Sequence, residues 1–127
     1  MRVGSLLAAA WIAAIAATSS AEAQSPGAEM FEPCRTCHAL NPAANAMAGP
    51  NLAGLIGRRV AGDPDYDYSP VFRQTRETGA VWSRDRLDRY LAGPERMFPG
   101  TWMSWPPTTD PAERKALVDF LADPKSR

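Results

Sequence analysis

The chain has few of the side chains on which many common functions depend. Its 127 residues include one histidine, two cysteines and two lysines, and the other twelve basic residues are arginine. Acidic and basic side chains balance at 14 each, and no cluster of basic residues is interleaved with aromatic ones. Nucleic-acid binding is therefore not expected, because it requires a positively charged surface.

No apolar run approaches the about 20 residues that a membrane-spanning helix needs. The run at residues 6–17 follows Arg2 and precedes Ala-Glu-Ala at 21–23, an arrangement typical of a secretory signal peptide. We expect residues 1–23 to be removed on export. Residues 24–127 then form one periplasmic domain with no stable membrane insertion. Retention of the run as an uncleaved anchor is the alternative.

Both cysteines and the only histidine fall within one pentapeptide, Cys-Arg-Thr-Cys-His at residues 34–38. Two thiols separated by two residues, with an imidazole directly after the second, have the spacing for covalent haem attachment. Cys34 and Cys37 can add to the two vinyl groups on one edge of the macrocycle. His38 is then placed beneath the iron as an axial ligand.

Three other uses of this pentapeptide compete with haem. A disulfide redox pair is one, although no βαβ pattern of the thioredoxin kind surrounds it. A zinc site needs four ligands, and the pentapeptide supplies three with no second cluster elsewhere. A structural disulfide leaves the adjacent His38 unexplained. The haem interpretation accounts for all three side chains.

Proline and glycine are abundant, and their distribution predicts the fold class. Together they number 21, and many lie between residues 42 and 107, which indicates loops rather than long helices. No stretch alternates long enough to be a strand, and residues 39–64 have no helical period. Cap residues Ser69, Ser83 and Asp110 mark three helix starts. We therefore predict an all-α domain with large loops and with helices at 27–31, from 69 onward, at 83–93 and at 110–123.

A domain of about 100 residues with so many loops has only a modest core. Burial of its side chains alone barely offsets the conformational entropy that the chain loses on folding. A buried macrocycle supplies the apolar centre that such a chain lacks.

The ligand on the other side of the iron is not fixed by spacing. There is no second histidine, so methionine, lysine, water or an open position remain. Met30 lies beside the attachment motif on a predicted helix, and Met47 follows His38 by only nine residues. Met97 and Met103 flank a Pro-Gly turn that can bring a thioether onto the iron. The spacing leaves these two open.

Seven further motifs follow the attachment pentapeptide in order. They are Gly-Pro-Asn-Leu at 49–52, Gly-Arg-Arg at 57–59, Tyr-Asp-Tyr-Ser at 66–69, Val-Trp at 81–82, Leu-Asp-Arg-Tyr-Leu at 87–91, Pro-Gly-Thr-Trp-Met at 99–103 and Pro-Ala-Glu-Arg at 111–114. In order and spacing the chain resembles the class I cytochrome c family over essentially all of residues 24–127. The resemblance implies an all-α class I cytochrome c fold, with short helices and long loops wrapped around one haem c.

The resemblance also implies roles for particular residues. Met103 ends the family's Pro-Gly-Thr-x-Met run and is expected to be the sixth iron ligand. Pro50 is expected to offer its carbonyl to the His38 ring N–H. Positions that hydrogen-bond the haem propionates in the family are matched here by Arg58, Tyr68 and Trp82. Tyr90 matches a tyrosine that packs beside the methionine ligand.

The chain departs from the family pattern at the surface around the expected haem edge. Positions that are commonly lysine in relatives are Pro33, Glu95 and Trp102 here. Docking through a ring of lysines is therefore not expected, and Trp102 and Trp105 offer an apolar patch to a partner instead. Phe72 stands where relatives often have asparagine.

The residues and the resemblance together predict a soluble electron carrier with one haem. It transfers one electron by an outer-sphere route through a His/Met-ligated iron in a respiratory or photosynthetic chain, and it is not an enzyme. The expected partners are redox proteins, namely an oxidase, a reaction centre or a dehydrogenase. The alternative is a haem enzyme, or a gas- or peroxide-binding protein, with a labile or absent methionine ligand.

Overall fold

The computed structural model describes residues 23–125. The predicted signal segment up to residue 22 lies outside these residues. The elements are α1 (Pro26–Phe31), a 3-10 helix (Glu32–Thr36), α2 (Pro70–Glu77), α3 (Arg84–Ala92), α4 (Pro94–Met97) and α5 (Pro111–Ala122). Within the described part no strand forms, and extended pairing is limited to one antiparallel bridge between Arg59 and Val81. The predicted all-α fold with long loops is confirmed.

Two helix starts follow from local capping chemistry as the sequence predicts. The Ser83 hydroxyl accepts a hydrogen bond from the Arg86 N–H at 3.0 Å and begins α3. The Asp110 carboxylate accepts from the N–H groups of Ala112 and Glu113 and begins α5. Each cap satisfies backbone donors that the first helical turn leaves free.

The start of α2 is at the predicted place but lacks the predicted cap. Pro70 occupies the first helical position, while the Ser69 side chain makes no capping hydrogen bond. Ser69 is buried instead, with 3% of its surface exposed. A proline at this position has a preset φ and no N–H to satisfy, so α2 begins without help from a serine hydroxyl.

A short helix follows α3 where the sequence predicted only a stop. Gly93 and Pro94 end α3 as expected, but Pro94 then opens the four-residue α4. The chain thus turns and re-enters helical geometry because proline is well suited to a first helical position.

Helix α1 crosses α5 and brings the two ends of the described chain together. A side chain on Gly27 has no room at this crossing, since a Cβ atom there would lie 2.3 Å from the Ala116 carbonyl oxygen. The rings of Phe31 and Phe120 meet beside it at a centroid distance of 5.6 Å. This packing fixes the segment that carries the two cysteines.

The long loop between the 3-10 helix and α2 is ordered by backbone pairing with the segment before α3. The N–H of Val60 donates to the Ala80 carbonyl at 2.8 Å, and the N–H of Trp82 donates to the Arg58 carbonyl at 2.8 Å.

None of the helices in residues 23–125 is both long and apolar enough to cross a membrane.

Candidate cofactor site

A mainly apolar cavity of about 340 Å³ lies between the 3-10 helix, the long loop, α3, α5 and the segment after α4. Its volume is in the range of small-molecule and cofactor pockets. All the site residues expected from the sequence lie on its wall: Cys34, Cys37, His38, Pro50, Arg58, Tyr68, Trp82, Tyr90 and Met103.

The cavity distinguishes among the methionines that spacing left open. Met103 and Met30 line the wall, whereas Met47 and Met97 do not. Met30 belongs to α1, on the same short segment as the cysteines. Met103 comes from the segment after α4 and reaches the cavity from a separate part of the chain.

The two cysteines lie on one tight turn at the cavity wall. The N–H groups of Cys37 and His38 both donate to the Cys34 carbonyl, at 3.1 and 2.9 Å. Both thiols are unpaired and half-buried. Burial raises the pKa of the Cys34 thiol. A redox-active pair requires the opposite shift, because the thiolate is the nucleophile.

The His38 imidazole is held against the backbone of residues 49 and 50. A Cβ atom on Gly49 would lie 2.5 Å from the ring carbon Cε1, so only glycine permits this approach. The ring atom Nδ1 is 2.8 Å from the Pro50 carbonyl oxygen. Since a carbonyl can only accept, Nδ1 carries the proton and Nε2 keeps its lone pair.

The ionisation of His38 favours the same neutral form. Burial lowers the pKa of the imidazole, and the hydrogen bond to Pro50 offsets part of that shift. A neutral imidazole with its free lone pair on Nε2 is the form that binds a metal.

The backbone behind His38 is fixed by the side chain of Asn51. Its amide nitrogen donates to the carbonyls of Asn41 and Ala44, at 2.8 and 2.9 Å. Its amide oxygen accepts from the Ala53 N–H at 2.8 Å. One buried side chain therefore closes a loop that has no helix or strand of its own.

Met103 is held by fewer contacts. The Tyr90 hydroxyl donates to its sulfur atom at 3.5 Å. The Met103 N–H donates to the Thr101 hydroxyl oxygen at 3.4 Å. Burial raises the pKa of Tyr90 to about 12, so the phenol keeps its proton and remains a donor at neutral pH.

The polar end of the cavity contains buried groups that have no partner in the described part of the chain. These are the Arg58 Nε atom and the Ser69 hydroxyl. The Tyr68 hydroxyl accepts from the Asp63 N–H at 3.1 Å, which leaves its own proton available. An unsatisfied buried polar group costs about 1–3 kcal/mol. A carboxylate of a bound macrocycle satisfies such donors, so these residues fit a haem.

The backbone of the long loop engages part of the Arg58 guanidinium. Its two terminal nitrogens donate to the carbonyls of Ala53 and Asn51, at 3.1 and 2.6 Å. These bonds use two of the five N–H donors of the guanidinium, and Nε is the nitrogen atom with no partner in the described part of the chain. Ser69 was missed as a site residue, because a serine before a proline is a helix-start signal and nothing local marks its hydroxyl as turned inward.

Residues 23–125 contain no group of three or more His, Cys, Asp or Glu side chains placed to hold a metal ion. The zinc interpretation of the pentapeptide thus gains no further ligand from the fold.

Comparison with known proteins identifies close relatives. Cytochrome c2 from Agrobacterium tumefaciens is 36% identical over 95 residues, which cover 75% of this chain and 86% of that protein. The structure of cytochrome c2 from Rhodospirillum centenum aligns with a TM-score of 0.69 at 29% identity, covering 77% of this chain and 96% of that one. Ferricytochrome c2 from Rhodopseudomonas palustris aligns with a TM-score of 0.69 at 30% identity, covering 76% and 94%. No family model matches the sequence.

Proposed function

The chain belongs to the class I cytochrome c family, and we propose that it is a periplasmic electron carrier whose haem iron is held by His38 and Met103. The family carries one covalently bound haem c and transfers electrons, and these are the cofactor and the general function of this chain. The ligands, the location and the place in an electron-transport chain are the proposal.

One observation carries the assignment of the ligands. The wall of a single cavity includes Cys34, Cys37, His38 and Met103, which come from two separate segments of the chain. The Pro50 carbonyl leaves Nε2 as the free nitrogen of His38. The Tyr90 hydroxyl orients the Met103 sulfur. This arrangement supports imidazole ligation from one side and thioether ligation from the other.

Bound haem supplies the one-electron couple between ferrous and ferric iron. With His38 and Met103 bound to the iron in both oxidation states, little in the chain would rearrange on electron transfer. The apolar wall excludes water, and a thioether ligand raises the reduction potential relative to a harder ligand.

We assign the propionates to the polar end of the cavity. The donors there are Arg58 Nε, the hydroxyls of Ser69 and Tyr68, and the indole N–H of Trp82. A hydrogen bond from a charged or phenolic donor to a carboxylate in a water-poor site is stronger than a hydrogen bond between two neutral groups in water.

We further propose that residues 1–23 are cleaved after export and that the carrier serves a respiratory or photosynthetic chain. Its partners are then redox proteins, namely an oxidase, a reaction centre or a dehydrogenase. The paucity of lysine supports docking that does not depend on a ring of positive charge.

Met103→Ala and Met97→Ala, compared in the oxidised holoprotein, test the proposed ligands. Met97 is a matched control because it is also a half-buried methionine but does not line the cavity. The Met103 variant should lose the sulfur-to-iron charge-transfer band at the red end of the visible spectrum, and the Met97 variant should keep it. Loss of the band with Met97→Ala contradicts the assignment. A wild-type protein without the band, and with an iron that binds peroxide or nitric oxide directly, supports the enzyme or sensor alternative.

A further inference from the structure

Asp63 is a buried carboxylate that lies outside the cavity yet contacts the peptide supporting His38. Only 7% of its surface is exposed, and it does not line the cavity. Its oxygen Oδ2 accepts a hydrogen bond from the Asn51 N–H at 2.7 Å.

The Asn51 N–H and the Pro50 carbonyl belong to the same peptide unit. The carbonyl oxygen of that unit is 2.8 Å from His38 Nδ1. In a trans peptide the N–H and the C=O point in opposite directions, so one planar, resonance-coupled group has the carboxylate on one side and the imidazole on the other. The three groups form one continuous hydrogen-bond chain.

We propose that Asp63 is a positioning residue that tunes the reduction potential by polarising the Pro50–Asn51 peptide. An acceptor with negative charge on the N–H draws electron density toward the carbonyl oxygen, because hydrogen bonds in a chain polarise one another. The Pro50 carbonyl then accepts more strongly from Nδ1, and the imidazole becomes a more electron-rich ligand. The inference rests on the proposed role of His38 as an iron ligand.

The surrounding contacts hold the carboxylate in this orientation. Its second oxygen, Oδ1, accepts from the Asp65 N–H at 3.0 Å. The backbone N–H of Asp63 donates to the Tyr68 hydroxyl at 3.1 Å. Both oxygens and the backbone are therefore engaged, and the Asn51 peptide is fixed from the other side by its own side chain.

A more electron-rich imidazole stabilises ferric over ferrous iron and lowers the potential. Asp63→Asn keeps the size of the side chain but removes its charge, so the midpoint potential should rise. We expect a shift of up to about 59 mV, the equivalent of a tenfold change in a one-electron equilibrium constant.

Asp65→Asn is the control for a charge acting only through space. It removes a carboxylate two positions away, which is exposed and has no hydrogen bond to any residue of 23–125. It should leave the potential nearly unchanged. The second readout is the His38 ring N–H resonance in the ferrous holoprotein, which should move upfield in Asp63→Asn only.

Equal shifts in potential for both variants, or an unmoved His38 ring N–H resonance, would overturn the proposal. Loss of thermal stability with an unchanged potential would also overturn it, since Asp63 is then purely structural. If Asp63→Asn yields no folded holoprotein, the hydrogen bond between the Asn51 N–H and the Asp63 carboxylate is tested in the wild-type protein by NMR. A through-hydrogen-bond coupling between the Asn51 nitrogen and the Asp63 carboxyl carbon is expected, and its absence contradicts the chain. A spectrum without His/Met features refutes the proposed function instead, so the two failures are distinguishable.

Discussion

The two walls of the cavity that carry His38 and Met103 differ in how firmly the protein holds them. The wall around His38 is fixed by a carbonyl at 2.8 Å and by the hydrogen bonds of Asn51. The wall around Met103 has one phenol at 3.5 Å and a threonine contact at 3.4 Å. Of the two proposed iron ligands, we therefore expect His38 to stay bound and Met103 to be the one that an added ligand displaces.

The surface beside each ligand shows the same contrast. Trp102 and Trp105 flank the Met103 segment and are 55% and 49% exposed. Gly49 and Asn51, which flank the His38 contact, are both buried in the long loop. The Met103 segment is thus the less supported wall and carries two exposed indole rings, while the loop beside His38 has one large exposed apolar side chain, Met47.

The largest expected effect comes from removing the covalent tie on the His38 wall. Without its macrocycle, the cavity of about 340 Å³ leaves the apolar side chains on its wall without packing partners. A domain with a total stability of about 5–15 kcal/mol tolerates such a loss poorly. Replacing Cys34 and Cys37 together by alanine should therefore abolish most of the folded holoprotein, while Met103→Ala retains haem and fold.

Yield of haem-containing protein and far-ultraviolet circular dichroism measure this difference. A compact, haem-free domain in normal amounts from the double cysteine variant would contradict it. Equal losses from the double variant and from Met103→Ala would remove the distinction between the walls.

A matched pair of glycine substitutions should give an intermediate effect. Gly49→Ala places a Cβ 2.5 Å from the His38 ring, while Gly100 has φ near +82° and open space for a Cβ. We expect Gly49→Ala to cost about 1–3 kcal/mol through overpacking. Gly100→Ala should cost about 1 kcal/mol through backbone strain alone.

Denaturant unfolding of the two holoproteins, together with the His38 ring resonances, measures both consequences. Only Gly49→Ala should move those resonances. Unchanged His38 resonances in Gly49→Ala would mean that the loop adjusts to the added Cβ without moving the imidazole. The wall around His38 would then be no more rigid than the wall around Met103.

Removing the phenol that holds Met103 should give the smallest effect. Tyr90→Phe loses the hydrogen bond to the sulfur, worth about 0.5–1.5 kcal/mol, together with the 3.4 Å contact between the phenol and the Thr101 hydroxyl. Tyr66→Phe is the control on the His38 side, because its hydroxyl donates to the Ala48 carbonyl at 3.3 Å. The charge-transfer band should weaken or shift only in the Tyr90 variant.

The pH dependence of stability, compared between wild type and Tyr90→Phe, tests whether the phenol is buried and protonated. Burial raises the pKa of Tyr90 to about 12, above the about 10 of an unfolded tyrosine. The raised pKa favours the neutral phenol in the fold, so its stabilisation is complete below pH 10 and is lost as pH rises toward 12. The free-energy difference between wild type and Tyr90→Phe should be constant from pH 7 to pH 9 and decline above it. A decline that begins near neutral pH would contradict burial of the phenol.

Local chemistry determined which parts of the fold were predictable from the sequence. The starts at Ser83 and Asp110 depend on residues within three positions, and both are correct. The inward turn of Ser69 and the carbonyl partners of Arg58 depend on where distant segments meet, and the sequence carries no signal for them. The four-residue α4 is too short to have a period of its own.

The same reasoning explains the candidate site. The pentapeptide is identifiable because covalent haem attachment requires two cysteines and a histidine at a fixed spacing, whereas Met103 is expected only from the resemblance to the family. Asp63 was not, since its contact with the Asn51 N–H spans twelve residues of irregular loop. Supporting groups behind a ligand are chosen by tertiary geometry and leave no local pattern.

Titration of the ferric holoprotein with free imidazole, followed by NMR, tests the difference between the walls most directly. The account predicts that imidazole displaces Met103, so that the strongly shifted methyl resonance of its thioether disappears while the His38 resonances remain. Displacement of His38 with Met103 retained, or resistance of both ligands at equal imidazole concentrations, would contradict it.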